Sequence, residues 1–418
     1  MDVSMALGNL QIIQPDTVST PEDCRHSTPH AAVAIVGGGL AGCALASLLA
    51  PALSPVVLFE KRAYPREKLC GEFLSPGAKA WLIRLGCYET VRAAGTVEIT
   101  HARFTTPSGR ELLIPFAEPG LGLSRHELDA ILFRHAQASG ALVFDHSEVF
   151  SIQDDSSPAP LHLQVRRSGA NGESHLQTWT ADLVLAAHGK RSRLDRQMRR
   201  RFFKQHHPFL ALKRHCRTTA STGWAMESCV EIHVVPGGYC GLCKIEKGFV
   251  NVCMLLHRDF VQTLEELSWD GACRRLSAIH PILAGRLASL EPVDAHPLSI
   301  AQVPFSFKEK SRGPLLFAGD AAGAIAPFCG HGQTVALQSA VLLADLILPH
   351  FSTGRLQDVD ALARAWNRRW RDAFQFRFAL ARIMQQGLCR PLAAEALLRL
   401  FQRFPSLTPW AVHLFHGH

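Results

Sequence analysis

A short glycine-rich turn near the start of the chain constrains its fold more than any other feature. The residues Gly37-Gly38-Gly39-Leu40-Ala41-Gly42 come directly after the continuous apolar run Ala31–Val36, and a helical segment continues from them. A buried strand, a tight turn and a helix whose first amide groups point at the turn form a unit that holds a diphosphate. The absent side chains permit the turn at Gly37, backbone approach at Gly39 and close helix–strand packing at Gly42. We therefore expect a nucleotide-binding α/β domain to begin near residue 31.

A second apolar run ends in an acid. Val56–Glu60 reads VVLFE, and Glu60 follows Gly42 by 18 residues. A carboxylate at the end of the second strand can accept hydrogen bonds from both hydroxyls of a ribose. An acid at this place favours an unphosphorylated ribose, hence FAD or NAD rather than NADP as the bound dinucleotide. Lys61 and Arg62, which follow Glu60, are further candidate contacts.

The segment Leu315–Ala340 distinguishes FAD from NAD. It reads LLFAGDAAGAIAPFCGHGQTVALQSA, and its GD pair and glycine loop resemble those of the aromatic-hydroxylase and geranylgeranyl-reductase group of flavoproteins. The resemblance implies that Asp320 binds the ribityl chain of FAD and that the loop borders the isoalloxazine ring. The candidate cofactor contacts here are Gly319, Asp320, Pro327, Gly330, Gly332 and Gln333. The helix that follows would present its positive end to the ring, where reduced flavin carries negative charge.

A third element, Ala181–Arg193, is similar to the segment in which this group carries an Asp-Gly pair. His188 stands where the group has its acid, and Gly189 is kept. Upstream, LSRHELDAILFRHAQASG matches the group's arginine-containing helix start, which makes Arg125 a candidate for the flavin or the pyrophosphate, with a surface arginine as the alternative. Val149 is a further candidate for cofactor contact.

The resemblance runs from Ala31 to the C-terminus, and within the group the chain looks most like FAD-dependent oxidoreductases of bacterial polyketide pathways. The segments that carry this likeness are KLCGEFLSP, GGYCGLCKIEKGFVNVCM and the ending HLFHG. It implies a class A flavoprotein with an α/β fold: a Rossmann-like three-layer FAD domain of the glutathione-reductase type, an antiparallel substrate sheet and C-terminal helices. The order of apolar and alternating segments predicts the boundaries. They are a disordered tail at 1–30, a discontinuous FAD domain at 31–90, 115–200 and 300–348, a substrate domain at 91–114 and 201–299, and helices at 349–418.

Candidate catalytic residues lie mainly in the predicted sheet over the flavin. Lys213 and His215 are two apart on a strand and share one face, either towards the flavin or towards solvent. Tyr239 and Cys70 are further candidates. Cys240 and Cys243 form a C-x-x-C, but on a strand they face opposite sides and no second pair follows at finger spacing, so no metal site is predicted.

Composition limits the remaining classes. Hydrophobic residues make up 47% of the 418 and the net charge is +8, which suits a globular protein with anionic ligands and does not single out nucleic acid. The basic run at 191–204 favours a solvated helix face over a lipid or nucleic-acid site. Twelve cysteines without a secretory signal, and no uninterrupted apolar stretch of spanning length, predict a reduced cytoplasmic protein.

The leading functional hypothesis is monooxygenation of an apolar aromatic or polyketide-derived small molecule with O₂. No second G-x-G-x-x-G is present, so NADPH or NADH is expected to dock transiently as the reductant. One alternative is a flavin-dependent C=C reductase or dehydrogenase. Another is a non-catalytic FAD-bound protein with weak membrane-surface contact, suggested by the basic and aromatic tail at 364–404. The W-x-W-x-I-P signature of flavin halogenases is absent, which disfavours halogenation.

Overall fold

The computed structural model describes residues 28–153, 160–169, 171, 173–219, 228–352 and 355–404. The strands are β1 His30–Val36, β2 Val56–Phe59, β3 Phe73–Leu74, β4 Val97–Thr105, β5 Glu111–Gly122, β6 Leu142–Phe144, β7 Ser147–Gln153, β8 Leu161–Ser168, β9 Ser174–Ala186, β10 Phe209–Thr218, β11 Cys229–Val235, β12 Gly238–Lys244, β13 Phe249–His257, β14 Leu290–Pro292, β15 Leu298–Ala301, β16 Ser311–Arg312, β17 Leu315–Phe317, β18 Phe351–Ser352 and β19 Arg355–Leu356. The helices are α1 Leu40–Leu49, α2 Ala78–Arg84, α3 Tyr88–Ala93, α4 Arg125–Ala138, α5 Arg193–Gln197, α6 Arg258–Val261, α7 Trp269–Ile279, α8 Pro281–Ala288, α9 Gly332–Ile347, α10 Val359–Leu388 and α11 Pro391–Arg403.

The first sheet is the parallel sheet of the predicted nucleotide domain. Its strand order is β16-β17-β9-β1-β2-β6, and all pairs from β17 to β6 are parallel. The central strand β1 is buried from its second residue onward, which explains its continuous apolar sequence. Helix α1 packs against α4 and α9. The antiparallel β7-β8-β9 meander adds a layer, in which the Trp179 ring contacts those of Phe59 and Phe144.

The second sheet has the order β14-β10-β13-β12-β11-β4-β5-β3, with β15 also paired to β10. Its pairs are antiparallel except β11 with β4, which are parallel because β4 comes from a separate, earlier part of the chain. The segments that form β10, β11 and β13 have an alternating residue pattern, which is typical of a sheet with only one face covered. In the structure the central strands are buried on both faces, since β11 is buried at every residue. Helices α7 and α8 pack on one side, while Ile232, Tyr239 and Leu255 join the main core on the other.

Two predicted domain boundaries are wrong in detail. β5 continues to Gly122 and β15 reaches Ala301, so both the 114/115 and the 299/300 boundaries fall inside strands of the second sheet. The short strand β3 also joins this sheet from within the segment predicted to be FAD domain. The second sheet thus takes strands from three places where the chain leaves the first domain. Residues 1–27 of the predicted tail lie outside the described residues, and β1 begins at His30.

The C-terminal helices close the molecule beside both sheets. Helix α10 packs against α9, and Trp366 on α10 donates a hydrogen bond from Nε1 to the carbonyl oxygen of Phe317 at 3.0 Å. α11 contacts α10, β5 and β11. Residues Gly332–His350 are long and apolar enough to cross a membrane by length and composition alone, but 67% of that window is buried inside the fold. We therefore describe α9 as a core helix of the first domain.

Candidate functional site

A single cavity of about 550 Å³ runs along the junction of the two sheets, a size that is usual for a ligand pocket. At one end it is lined by the Gly37–Ala41 turn, and in the middle by the loop before α9. At the other end the wall is formed by β4, β5, β11, β12 and α11. The end at the glycine turn, called here the dinucleotide end, is bordered by charged side chains. The far end, called here the chamber, is bordered by apolar ones.

The turn between β1 and α1 has the geometry predicted for a diphosphate cradle. Gly37 has a φ of +103°, a conformation that disfavours any side chain. A Cβ added at Gly42 would collide with the carbonyl oxygen of Gly37, so the helix can approach the strand only because that side chain is absent. Gly39, Leu40 and Ala41 line the cavity at the start of α1. The unpaired amide groups of this helix end are therefore presented to the dinucleotide end.

Glu60 is buried at the end of β2 and faces this turn. Its Oε2 accepts a hydrogen bond from the amide of Gly38 at 2.8 Å, and Oε1 accepts one from the amide of Arg62 at 3.1 Å. A carboxylate offers about four lone-pair sites, so each oxygen retains acceptor capacity for a ribose hydroxyl. Lys61 and Arg62 line the same part of the cavity. The predicted role of Glu60 is compatible with this arrangement.

Three side chains that the sequence analysis missed cover the glycine turn. The Tyr64 hydroxyl and Arg66 both donate hydrogen bonds to the carbonyl oxygen of Gly38, and Arg66 lies 3.2 Å from Glu60 Oε2. Lys68 Nζ would lie only 3.3 Å from a Cβ added at Gly39, and burial lowers its pKa to about 8. A buried amine beside a diphosphate cradle gains its proton readily when an anion binds. All three residues belong to the segment YPREKL, which has no motif or residue spacing that would predict a binding role.

Arg125 is not the surface arginine of the alternative interpretation. It is 5% exposed, begins α4 and lines the cavity. Its guanidinium makes a bidentate ion pair with Asp129, with Nε to Oδ1 at 2.7 Å and NH2 to Oδ2 at 2.9 Å. Although burial opposes it, Asp129 raises the pKa of Arg125, which stays charged. Val149, by contrast, is packed into the core on β7 and is not among the residues that line the cavity.

The loop before α9 forms part of the wall in the middle of the cavity. Asp320, Pro327, Gly330, Gly332 and Gln333 all line it. Gln333 is buried and donates from Nε2 to the carbonyl oxygen of Phe73 at 3.2 Å, while its Oε1 has no hydrogen-bond partner among the described residues. A buried amide oxygen without a partner is costly unless a ligand donates to it. Gly319 is buried beside Ala41 and supports the loop from behind, with a φ of +55°.

His188, which replaces the acid of the family pattern, is paired with a nearby carboxylate. Its Nε2 lies 3.1 Å from Asp195 Oδ1, and Arg200 also pairs with Asp195 at 2.8 Å. Burial lowers the pKa of His188 despite Asp195, so the ring is neutral and donates from Nε2. Nδ1 is then an acceptor, and within the described residues it has no hydrogen-bond partner. Since His188 lines the cavity, this atom can accept a hydrogen bond from a hydroxyl group of the cofactor.

The basic run at 191–204 is not exposed to solvent along its whole length, since Arg200 is only 2% exposed.

Lys213 and His215 share one face of β10, as predicted, but neither lines the cavity. Lys213 Nζ lies 2.5 Å from Glu72 Oε1 and 2.7 Å from Glu67 Oε2, and His215 Nε2 lies 2.6 Å from Glu72 Oε2. Burial acts against the charge of Glu72, yet hydrogen bonds from His215 and Lys213 hold the pKa of its carboxyl below the usual value. Glu72 also raises the pKa of His215 against the effect of burial. Glu67 and Glu72 line the cavity and therefore lie between it and the two basic residues.

Glu72 follows Cys70 and Gly71 and has an unusual backbone conformation for a residue that carries a side chain. Its φ is +57°, in the left-handed region that glycine adopts without strain, and its side chain is fully buried. The ion pairs with Lys213 and His215 hold it there. Glu67, Glu72 and His215 also place donor atoms within 4.8 Å of one another, as a metal site would. However, Lys213 Nζ is bonded to both carboxylates, so an ammonium group already supplies the positive charge.

The chamber is formed by apolar side chains from elements far apart in sequence. Its lining includes Ala102, Phe104, Leu112, Ile114, Phe116, Val230, Ile232, Leu397, Leu398 and Phe401. Tyr239 lines the cavity from β12, and burial raises the pKa of its hydroxyl well above the usual value. The hydroxyl therefore stays protonated and can donate a hydrogen bond to a ligand oxygen. Cys70 lies in the lining between Arg125 and Gln333.

The C-x-x-C pair is split as the strand spacing predicted. Cys240 belongs to the core cluster under α7 and α8, and Cys243 to the small cluster with Phe73 and Ile99. Burial raises the pKa of both thiols well above the usual value, which makes them poor thiolate ligands. Cys329 lies in the cavity wall beside the glycine loop, and burial raises its pKa as well.

Together the cradle at the turn, the acid at the end of β2 and the glycine loop before α9 fit an FAD molecule laid along the cavity. Gln333 Oε1 and His188 Nδ1 are buried without a hydrogen-bond partner among the described residues, and a bound cofactor would give each of them one. The fold and this site define an FAD-dependent oxidoreductase. Residues 30–361 match the family described as FAD binding domain, and the chain belongs to that family.

Known relatives differ in the reactions named for them. A menaquinone reductase from Mycobacterium tuberculosis is 24% identical over 401 residues, covering 89% of this chain and 85% of that protein. A tryptophan 2-halogenase from Chondromyces crocatus is 25% identical over 325 residues, covering 75% of this chain but only 60% of the halogenase. The structure of a p-nitrophenol 4-monooxygenase from Pseudomonas putida aligns with a TM-score of 0.72 at 17% identity, covering 94% and 100% of the two chains. The halogenase among these relatives means that the missing W-x-W-x-I-P signature does not by itself exclude halogenation.

Proposed function

We propose that the protein is a monooxygenase that places one oxygen atom of O₂ on an apolar, aromatic or polyketide-derived molecule. The observation that carries the proposal is the apolar chamber, which continues directly from the glycine loop at Gly330 and Gly332. A substrate bound there would lie beside the flavin and away from bulk water. Reduced FAD supplies the electrons that activate O₂, and such chemistry requires that water be excluded.

The described residues would position both reactants. The N-terminal end of α9, with Gln333, faces the site of the ring and favours negative charge on reduced flavin. Tyr239 would hold a phenol or carbonyl oxygen of the substrate by donating a hydrogen bond. NADPH or NADH would act as a transient reductant at the open cavity, because the sequence has no second dinucleotide turn.

Two other reactions have support from the relatives and are second candidates. A halogenase would need the same reduced flavin and O₂ together with a halide ion, and the tryptophan 2-halogenase relative favours it. A C=C reductase would need no O₂, and the menaquinone reductase relative favours it. An apolar chamber beside the flavin site would suit an apolar substrate in any of the three reactions. The chamber therefore supports the substrate class more strongly than it supports the choice of reaction.

One experiment separates these reactions. The FAD-loaded enzyme is incubated with NADPH and a phenol that carries an unsaturated alkyl chain, under ¹⁸O₂ with and without bromide and also without O₂, and the mass of the product is measured by mass spectrometry. A monooxygenase gives a product carrying one ¹⁸O atom whether or not bromide is present. A brominated product, or a product that gains two hydrogens in the absence of O₂, would replace the proposal with halogenation or reduction respectively.

A further inference from the structure

The outer face of α11 exposes large apolar side chains to solvent. Leu392 is 86% exposed and Leu400 is 45% exposed, and the exposed Ala396 lies between them. Residues at these four-residue intervals form one stripe along a helix. Phe404, directly after the helix, is 52% exposed, and the 13-residue helix makes the stripe about 20 Å long. A stripe of this kind on a surface helix marks a contact surface.

Basic side chains border this stripe. Arg399 and Arg403 are exposed on the same side of α11, and Arg390 is exposed directly before it. The acidic residue of the helix, Glu395, points the other way. It binds Thr106 Oγ1 at 2.5 Å, Arg110 Nε at 3.0 Å and the Ser108 hydroxyl. The outer face is therefore apolar and positive.

The inner face of the same helix lines the cavity. Leu397, Leu398 and Phe401 face the chamber, while Glu395 and Gln402 attach the helix to the β4–β5 hairpin through Arg110. The width of a single helix, α11, therefore separates the chamber from the apolar outer surface. The neighbouring helix α10 adds Phe376 and Ile383, seven residues apart on one face and 63% and 66% exposed.

We propose that α11 docks on an anionic lipid bilayer and that the substrate is an apolar molecule taken from that bilayer into the chamber. The uptake of substrate from the bilayer rests on the apolar substrate proposed above, whereas the docking of α11 does not. Exposed leucines bordered by arginines match the headgroup boundary of an anionic membrane, where apolar side chains insert and arginines meet lipid phosphates. The bordering arginines are attracted to the negative surface potential of such a membrane. The sequence predicted weak membrane contact for residues 364–404, and this proposal assigns that contact to the outer face of α11.

The test is co-sedimentation of the full-length, FAD-loaded protein with sucrose-filled vesicles. Vesicles of phosphatidylcholine alone are compared with vesicles containing 30 mol% phosphatidylglycerol, each at 0.05 M and 0.5 M NaCl. We expect binding to the anionic vesicles that falls at high salt, and much weaker binding to the neutral ones. Failure of the wild-type protein to bind anionic vesicles at low salt would overturn the proposal.

Two pairs of substitutions on α11 test the docking surface, and a third pair elsewhere on the protein is the matched control. Leu392→Glu with Leu400→Glu, and Arg399→Glu with Arg403→Glu, should each lower the vesicle partition coefficient by about tenfold or more. Leu176→Glu with Leu267→Glu changes two leucines that are 67% and 75% exposed elsewhere, and should leave binding unchanged. The flavin spectrum and the unfolding temperature verify that each variant is folded.

The outcomes separate the surface from the catalytic proposal. Vesicle binding is measured without turnover, so it can succeed or fail independently of the reaction. Equal loss of binding in the control pair would contradict the proposal, as would binding that survives both α11 pairs. Binding to an acidic carrier protein, with none to anionic vesicles, would identify a protein partner instead and would also overturn it.

Discussion

The two ends of the cavity are lined by different kinds of chemical group. At the dinucleotide end, backbone amides of the Gly37–Gly42 turn combine with charged side chains such as Glu60, Lys68 and Arg125. In the chamber, apolar side chains from β4, β5, β11, β12 and α11 define a shape with few polar groups. Directional contacts fail when one atom is misplaced, whereas an apolar surface changes its preference gradually. Substitutions at the dinucleotide end should therefore abolish cofactor binding, and those in the chamber should alter substrate choice.

The largest effect is expected at the glycine turn. In Gly42→Ala the new methyl group collides with the carbonyl oxygen of Gly37, so α1 must move away from β1 and its amide groups leave the diphosphate. Loss of two charge-assisted hydrogen bonds corresponds to about 3 to 6 kcal/mol, or more than a hundredfold in FAD affinity. Titration of the apoprotein with FAD measures this. Gly285→Ala in α8, where an added Cβ meets nothing within 4 Å, is the matched control and should bind FAD normally.

The next effect concerns Glu72, between the two ends. Glu72→Gln removes the one negative charge that both Lys213 and His215 contact, while Glu67 remains paired with Lys213, and breaking a buried ion pair in this way costs about 3 kcal/mol of unfolding free energy. Urea denaturation at pH 6 measures this loss. Glu72→Gly is the informative companion, because glycine relieves the φ of +57° and yet lacks the carboxylate. If the glycine variant is as stable as the wild type, the ion pairs do not hold this segment.

The same cluster predicts a pH dependence of stability. The pKa of His215 is raised in the folded protein, so its contribution is fully present below its unfolded pKa and is lost as the pH rises through the folded value. The pKa of Glu72 is lowered, so its contribution is present above its unfolded pKa and is lost as the pH falls through the folded value. Unfolding free energy measured from pH 5 to 9 should decline on the alkaline side. His215→Gln should flatten that decline, and an unchanged slope would contradict the pairing.

A smaller effect is expected from Asp320, which contributes acceptors without core volume. Asp320→Ala should weaken FAD binding by about 1.5 to 3 kcal/mol, or about ten- to a hundredfold, because one charge-assisted hydrogen bond is lost. Asp320→Asn retains one acceptor oxygen and should recover part of the affinity. Equal affinities for wild type and alanine variant, measured by fluorescence quenching, would place the ribityl chain elsewhere.

The smallest effect on the cofactor is expected from Gly241, in the chamber wall on β12. A Cβ added here has its nearest neighbours at 3.6 Å, so Gly241→Ala fits and fills chamber volume. FAD affinity should be unchanged, while kcat/KM for a bulky substrate should fall by about tenfold, as for one or two methylene groups of lost space. A parallel fall in FAD affinity would show that the two ends are not independent.

The same contrast explains what the sequence could predict. The glycine turn and Glu60 were predicted from their residue types and spacing, and the Asp320 loop from its resemblance to a known group of flavoproteins, because each lies in a short continuous stretch of sequence. The Glu72 cluster depends on contacts between segments far apart in sequence, since Glu72 and Lys213 are 141 residues apart. The chamber has no motif, because apolar lining residues resemble core residues until the sheets are placed together. Predicted boundaries at 114 and 299 were wrong because the strands continue past the change in residue pattern.

The most direct test of this account is the cofactor content of the purified protein. Heat denaturation should release a yellow compound that chromatography and mass spectrometry identify as FAD, with about one molecule per chain or reconstitution to that level. Asp320→Ala prepared in parallel should retain less. A colourless protein that cannot be reconstituted with added FAD would contradict the assignment of the dinucleotide end, and with it the proposed function.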